Sequence, residues 1–436
     1  MQRNFARFTA MFALALLLVL VACGGPAPVE PPSGGGGGGG TGGDSGGSGG
    51  GDATAPTVEV PSGGGSGSEQ FVFGMLLVGP YNDNGWSQAH YEAGLYLEEK
   101  LGAKMIYLDK VNPADRPGTT PDQLAEELVA QGAQLVIFNS DDMKDASTTF
   151  AKANPDIYVI MASGDQVWED GKAYEAIPNL MNIMGRMEYG KMMAGCAAAL
   201  STKTGKIGYL GPLINDETRR LAASAYLGAK YCYEKAGMNP DDLEFKVTWI
   251  GFWFNIPGVT LDPVQVSNDF YTTDYDVVIS GIDNPVNLGE AQKLKAEGKD
   301  VSGVAYDYVA ACDAAPDVCL GVPYFNWGPE YLKALTSASN GSWQSQFIWV
   351  GPDWSDINNV DTSSVGFVKG AALSSEAAAM VDEFIAELAG GLNLWTGPIN
   401  LQDGSAYLAD GEVASDQQVW YLPQLLEGME GLSASE

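Results

Sequence analysis

Short apolar runs alternate with longer amphipathic stretches along this chain from about residue 71 onwards. Apolar runs bounded by Gly or Pro predict buried strands, and stretches with helical periodicity between them predict helices. The first set of strands is predicted at 71–79, 104–111, 134–140 and 157–163, with helices at 86–102, 121–132 and 142–153. This order is typical of βαβ units, which build parallel sheets covered by helices.

The same alternation then repeats over a second stretch of chain. After a helix at 186–201, strands are predicted at 206–211, 245–251, 275–282 and 301–308, with helices at 217–237 and 285–298. A last strand at 318–325 and the helix after Pro329 are expected to return to the first set. We therefore expect an α/β protein of two doubly wound parallel-sheet lobes with a ligand cleft between them. The expected division is 69–183 and 309–345 in lobe 1, and 184–308 and 346–436 in lobe 2.

The apolar run at 8–21 differs from the predicted strands. Arg3 and Arg7 precede it, it is short for a membrane span, and small residues follow. These features predict a signal peptide over 1–22 rather than a transmembrane anchor. Cys23, directly after Leu-Val-Ala, resembles the lipobox of bacterial lipoproteins, in which the cysteine is lipidated. The alternative is an ordinary signal peptide with an incidental cysteine.

The segment that follows Cys23 predicts a tether. Residues 24–68 contain 20 glycines and 6 prolines, with few residues that could form a core. Such a segment is expected to be disordered. The protein is therefore expected to be exported and lipid-anchored to the outer face of the cell membrane, on its periplasmic or extracellular side.

Charge and composition exclude several classes of function. The 23 basic residues against 55 acidic ones give a net charge of −32. This negative charge repels nucleic acid and multiply phosphorylated ligands. The chain has a single histidine, His90, and no C-x-x-C motif, so zinc and other metal sites are not expected. No cofactor is expected, and His90 is predicted on a helix surface.

Four cysteines remain after Cys23, an even number in an oxidising compartment. Cys312 and Cys319 flank a short loop, which suggests a local disulfide. Cys196 and Cys232 fall on consecutive predicted helices and could pair if those helices pack side by side. Free buried thiols are the alternative for each pair.

The residues that follow the predicted strands are candidate ligand contacts, because ligands of doubly wound sheets bind beyond the carboxyl ends of the strands. A tryptophan face can stack on a planar base, and an aspartate can accept hydrogen bonds from ribose hydroxyls. The alternatives are helix capping for the aspartates and core packing for the tryptophans. The candidates are Asp83, Trp86, Ser140, Asp165, Trp253, Gly281, Asp283, Asp307 and Asn326.

Several motifs resemble one protein family. The stretch from Asp83 to His90, DNGWSQAH, is similar to the opening motif of the basic membrane protein family of substrate-binding lipoproteins, which includes purine nucleoside receptors of ABC importers. Further similar motifs follow in order: Gly185-Arg186, Lys206–Tyr209, Asn326–Tyr331 and Trp395–Ile399. The resemblance covers about 71–430.

The resemblance implies a type I periplasmic-binding-protein fold whose two lobes close on a ligand. It implies that Trp86 and Trp253 sandwich a base, and that Asp307, with Asp165 and Asp283 more loosely, holds the sugar. Nucleoside-receptor relatives differ in having Asp-Lys-Ser-Phe-Asn at 83–87 and a lysine near 325–326. A free base, a modified nucleoside or another aromatic solute therefore stays an alternative to a purine nucleoside.

The expected function is reversible capture of that ligand by a monomer and its delivery to an ABC permease. A ligand-sensing ectodomain that reports to a membrane partner is a second hypothesis, and a nucleoside hydrolase is a third.

Overall fold

The computed structural model describes residues 70–434. The predicted signal peptide, the lipidation of Cys23 and the tether at 24–68 lie outside the described residues. The strands in chain order are β1 (Val72–Leu76), β2 (Lys104–Leu108), β3 (Leu135–Phe138), β4 (Tyr158–Met161), β5 (Leu180–Gly185), β6 (Lys206–Gly211), β7 (Glu244–Trp249), β8 (Val277–Ser280), β9 (Ser302–Val304), β10 (Cys319–Phe325), β11 (Phe347–Val350), β12 (Val365–Lys369), β13 (Ile399–Asn400), β14 (Ala406–Leu408) and β15 (Met429–Glu430).

Helices connect most of these strands. They are α1 (Trp86–Leu101), α2 (Pro121–Ala130), α3 (Lys144–Ala153), α4 (Met187–Ala199), α5 (Asp216–Lys235), α6 (Pro263–Thr272), α7 (Val286–Ala296), α8 (Gly328–Ser339), α9 (Ser375–Ala389) and α10 (Asp416–Trp420). Within the described range, no helix is both long enough and apolar enough to cross a membrane.

The strands form two large sheets, one in each lobe. The first sheet has the order β11-β5-β4-β3-β1-β2, and all its pairs are parallel. The second has the order β12-β10-β9-β8-β6-β7-β15 and is parallel except where β12 runs against β10. In both sheets the strand order reverses direction along the chain, so the prediction of two doubly wound α/β lobes is confirmed.

The sheets place two segments differently from the expected division of the chain. β10 lies within 309–345, which was expected in lobe 1, but it pairs with β9 and β12 in the second sheet. β11 lies within 346–436, which was expected in lobe 2, but it pairs with β5 in the first sheet. The chain thus crosses between lobes just after β10 and again after β11. An apolar strand carries no sequence signal for which of two sheets it joins.

Helices α4 and α5 pack closely because glycines lie at their contact. A Cβ added at Gly195 would lie 1.8 Å from the carbonyl oxygen of Ala225, and one added at Gly228 would lie 2.1 Å from that of Met192. This approach brings Cys196 and Cys232 to a Cα–Cα distance of 5.1 Å, where they form a disulfide. Cys312 and Cys319 form the second, with a Cα–Cα distance of 5.5 Å.

His90 is buried, so its prediction as a helix-surface residue was wrong. Its ring stacks on Trp327 at 4.2 Å, and its Nδ1 lies 2.8 Å from the hydroxyl of Tyr331. Burial holds the pKa of His90 well below its usual value. The reason is that α8, which follows the crossing after β10, covers this face of α1.

Candidate functional site

A cavity with an empty volume of about 410 Å³ lies between the two lobes, at the carboxyl ends of the strands. The first lobe contributes the residues that follow β1, β3 and β4, and the second lobe contributes those on or after β6, β7, β8 and β9. The lining residues are Trp86, Ser140, Asp141, Ser163, Tyr209, Glu217, Thr218, Leu221, Trp253, Gly281, Asp283 and Tyr306.

Two tryptophans from opposite lobes line this cavity. Trp86 begins α1, and its indole N–H donates to the carbonyl of Asn139 while its ring meets Phe325 edge-on at 5.2 Å. Trp253 follows β7 in the second lobe. The two side chains are only 7% and 8% exposed. Because the two tryptophans belong to different lobes, both rings can contact one planar ligand only when the lobes are closed around it.

Buried carboxyl groups lie at one end of the cavity. Asp283 lines it, and Asp307 lies fully buried nearby with a left-handed backbone at φ 70°. Neither carboxyl oxygen of Asp307 has a hydrogen-bond partner among the described residues. Burial raises the pKa of both groups well above the usual range, and their proximity to each other and to Asp83 raises it further. Groups in this state can accept hydrogen bonds from ligand hydroxyls.

Lys191, in the middle of α4, places a buried amino group at this end, and burial holds its pKa well below the usual value. Its Nζ donates to the carbonyl of Ser280 at 2.7 Å and lies 3.0 Å from the centre of the Tyr306 ring. Burial lowers the pKa of Lys191, whereas the charge of Asp307 raises it. In turn Lys191 lowers the pKa of Asp307, but burial outweighs this effect and the pKa stays well above its usual range.

The other end of the cavity is formed where the start of α5 approaches the first lobe. The side-chain amide of Asn215, the N-cap of α5, donates to Asp141 at 3.2 Å and so joins the lobes. Glu217 lies in the first turn of α5. Burial raises its pKa to about 7, and the nearby Arg220 opposes that rise.

A second, more polar chamber with an empty volume of about 390 Å³ adjoins this end. Asp141, Ser163 and Glu217 line both chambers. The remaining walls of the second chamber are Lys144, Gly164, Asp165, Asn215, Asp216, Arg220 and Trp420.

The structure brings five of the residues predicted from the sequence into the main cavity and leaves four outside its lining. The five that line it are Trp86, Ser140, Trp253, Gly281 and Asp283. Asp307 lies close enough to Asp283 for the two charges to interact. Asp165 pairs with Lys144 and accepts a hydrogen bond from Tyr421, so it lines only the second chamber.

Asp83 and Asn326 do not line the cavity. Their side chains form hydrogen bonds with backbone groups instead. Asp83 accepts the N–H groups of Gly85, Ser87 and Gln88, which fixes the turn before α1. The amide of Asn326 donates to the carbonyls of Val360 and Ser363 at 2.9 and 2.7 Å. It therefore joins two of the segments that cross between the lobes.

Sequence reasoning missed several residues that line the cavity or lie beside it. Glu217 and Thr218 begin the helix that follows β6, and the strand-end rule could have found them. Tyr209 lies within β6, and Lys191 lies within α4, so no strand end marks either residue. No group of three or more potential metal ligands was found among residues 70–434.

The model of one protein family, described as "ABC transporter substrate-binding protein PnrA-like", matches residues 71–348. A purine-binding protein of Brucella abortus is 29% identical over 359 residues, which is 81% of this chain and 91% of that protein. A Haloferax volcanii protein, named for glucose binding in an ABC transporter, is 27% identical over 68% of this chain and 69% of its own length.

Solved structures agree on the fold. A solute-binding protein of an Aeropyrum pernix ABC transporter superposes with a TM-score of 0.59 at 12% identity, covering 76% of this chain and 93% of that one. One from Conexibacter woesei gives 0.53 at 16% identity, covering 74% and 98%. Since the family match spans more than half of the sequence, the chain belongs to the PnrA-like, or basic membrane protein, family of ABC transporter substrate-binding proteins.

Proposed function

We propose that this protein is a receptor that captures a purine nucleoside, or a similar aromatic solute, between its lobes for an ABC importer. Family membership implies a small-molecule ligand, a permease partner and an extracytoplasmic location. The observation that carries the choice of ligand is the pair of tryptophans, one from each lobe, in a cavity with buried carboxyl groups at one end. The Brucella abortus relative, which is named for purine binding, supports the same choice.

In the proposed complex the base stacks between Trp86 and Trp253, and the sugar points towards Asp283 and Asp307. Stacking of a base on an aromatic side chain contributes roughly 1–3 kcal/mol. The unpartnered carboxyl oxygens of Asp307 would form hydrogen bonds with the ribose hydroxyl groups. The base edge is then proposed to lie next to Asp141 and Glu217, which also line the cavity.

Capture is proposed to occur by lobe closure. Polar contacts that already join the lobes in the structure include Asn215 to Asp141, Tyr308 to Glu92 and Tyr421 to Asp165. A ligand that touches both tryptophans adds to these contacts only in the closed state, so its binding favours that state.

Outside the described residues, we propose that a lipid on Cys23 and the 24–68 tether confine the receptor near its permease. Tethering raises the effective concentration of the loaded receptor at that partner. The receptor is proposed to act as a monomer and to release the ligand unchanged. A ligand-sensing ectodomain is the alternative for the whole chain, since it would use the same closure.

A sugar is the second candidate ligand. The buried carboxyl groups at one end of the cavity suit sugar hydroxyls, and the Haloferax volcanii relative is named for glucose binding. A sugar would leave the aromatic surfaces of Trp86 and Trp253 without a planar partner, which is why we favour a nucleoside.

A thermal-shift panel of nucleosides, bases, sugars and flavins tests the proposal. A ligand at a hundred times its dissociation constant adds about 2.7 kcal/mol to folded-state stability. We expect the largest shift with a purine nucleoside, little with glucose and none with a nucleoside monophosphate, because burying a charged phosphate beside these carboxyl groups is costly. A shift with glucose but with no nucleoside or base would overturn the choice of ligand and leave the family assignment intact.

A further inference from the structure

We propose that the base-edge end of the cavity selects 6-oxopurines over 6-aminopurines, through a paired acceptor and donor supplied by Glu217 and Arg220. This inference rests on the proposed function, because it assumes that a purine base lies between the two tryptophans. It adds a specificity that neither the family match nor the name of any relative contains.

Arg220 is a fixed donor at this end. Its side chain is 1% exposed, its Nε donates to Glu188 at 2.6 Å, and its guanidinium lies 4.0 Å from the centre of the Trp420 ring. With these contacts made, Nη2 still has no hydrogen-bond partner among the described residues. An arginine nitrogen can only donate, and a buried donor without a partner is costly. A ligand oxygen at this point would remove that cost.

Glu217 is the neighbouring acceptor. It lies three residues before Arg220 on the same helix, so the two side chains project from the same face of α5. Glu217 lines both chambers and Arg220 lines the second, so the two groups meet where the chambers adjoin. A planar group that enters there from the tryptophan side meets a carboxylate next to a guanidinium.

The edge of a 6-oxopurine complements this pair. It presents the C6 carbonyl, an acceptor, beside N1–H, a donor, so the carbonyl faces Arg220 and N1–H faces ionised Glu217. A 6-aminopurine presents the reverse order, an amino donor beside an unprotonated N1. It would set donor against donor at Arg220 and acceptor against carboxylate at Glu217. Mismatched polar groups in a desolvated site discriminate strongly.

Inosine and adenosine provide the direct comparison because they share the ribose and differ at this edge. By calorimetric titration of the full mature chain at pH 8, we expect inosine to bind about tenfold or more tightly than adenosine, the effect of roughly one mismatched hydrogen bond. Glu217→Gln should reduce that ratio, mainly by weakening inosine. Glu234→Gln, the same change on an exposed part of α5, should leave it unaltered.

The pH dependence of the inosine-to-adenosine ratio gives a readout that misfolding would not mimic. The titratable groups nearest Glu217 are Arg220 on its own helix, Glu188 on α4 and Asp141 from the first lobe. Glu217 also interacts electrostatically with Lys191, Asp283 and Asp307. Protonation of Glu217 removes the negative charge and adds an O–H donor that can bind the unprotonated N1 of adenosine. The ratio should therefore fall between pH 8 and pH 5.5 and become nearly constant in Glu217→Gln. Asp283 and Asp307 titrate as well, and Glu217→Gln, which keeps both, separates their effect on the ratio from that of Glu217.

Adenosine binding as tightly as inosine, or a ratio that is the same in Glu217→Gln, would overturn this inference while leaving nucleoside capture intact. Failure of both nucleosides to bind would overturn the proposed function, and the inference with it.

Discussion

Replacing Gly85 with alanine should block closure of the lobes without disturbing either lobe. Gly85 precedes α1 in the first lobe, and its backbone lies directly against the carbonyl group of Asp283 in the second. A Cβ added at Gly85 would lie 1.7 Å from that oxygen, whereas ordinary van der Waals contact begins at 3.4 Å. The two lobes would therefore have to move apart by well over an ångström at the edge of the cavity.

The expected loss of ligand affinity follows from the free-energy cost of inserting a methyl group into a closely packed contact. That cost is typically about 1–3 kcal/mol. Since the clash exists only when the lobes are together, that cost falls on ligand binding. It corresponds to a dissociation constant raised roughly 5- to 150-fold. The unfolding midpoint without ligand should change little, because the open form relieves the clash.

Calorimetric titration of Gly85→Ala and wild type with the same nucleoside measures this effect. Gly289→Ala is the matched control, since a Cβ at Gly289 in α7 meets no atom within 4 Å. We expect the control to bind as wild type does. Wild-type affinity in Gly85→Ala would refute the reasoning, because ligand binding would then not require the close approach of Gly85 to Asp283.

Three further predictions concern the cavity and the stability of the fold. Trp253→Ala should weaken nucleoside binding by roughly 1–3 kcal/mol with an unchanged far-UV spectrum, and undiminished affinity would place the base elsewhere. Burial raises the pKa of Asp83 to about 6 and of Glu217 to about 7, so the folded state binds more protons than the unfolded state between about pH 4 and pH 7. Stability without ligand should therefore fall as the pH rises from 5 to 8 in urea titrations, and a rise would contradict these shifts. Replacing both Cys196 and Cys232 with serine should cost about 3–4 kcal/mol in the same titrations, from the loop of 36 residues that the disulfide closes. No change on replacement would mean that the thiols are free in the native protein.

Reasoning from each strand and the residues that follow it predicted much of the fold and five of the residues that line the cavity. Trp86, Ser140 and Asp283 could be found because each follows an apolar strand, and the carboxyl ends of parallel strands meet at one edge of a sheet. Asp307 also follows a strand. Its carboxyl group is nevertheless buried, with Lys191 acting on its charge, and no local pattern indicates that arrangement.

The failures share a physical cause, which is that they depend on contacts between distant segments. His90 was expected in solvent because α1 alone shows an exposed face there, and only the return of α8 buries it. Asn326 follows a strand, but the chain crosses between lobes at that point, so its amide binds the crossing segment instead of the ligand. Glu217 was overlooked because an acidic residue at a helix start is also explained by the helix dipole alone.

The most direct test of the central claim is a titration of the full mature chain with inosine, followed by chromatography of the recovered ligand. The account predicts saturable binding of one molecule per chain, weakened by Trp253→Ala and by Gly85→Ala, with inosine recovered intact. Absence of binding, or release of free hypoxanthine, would contradict it.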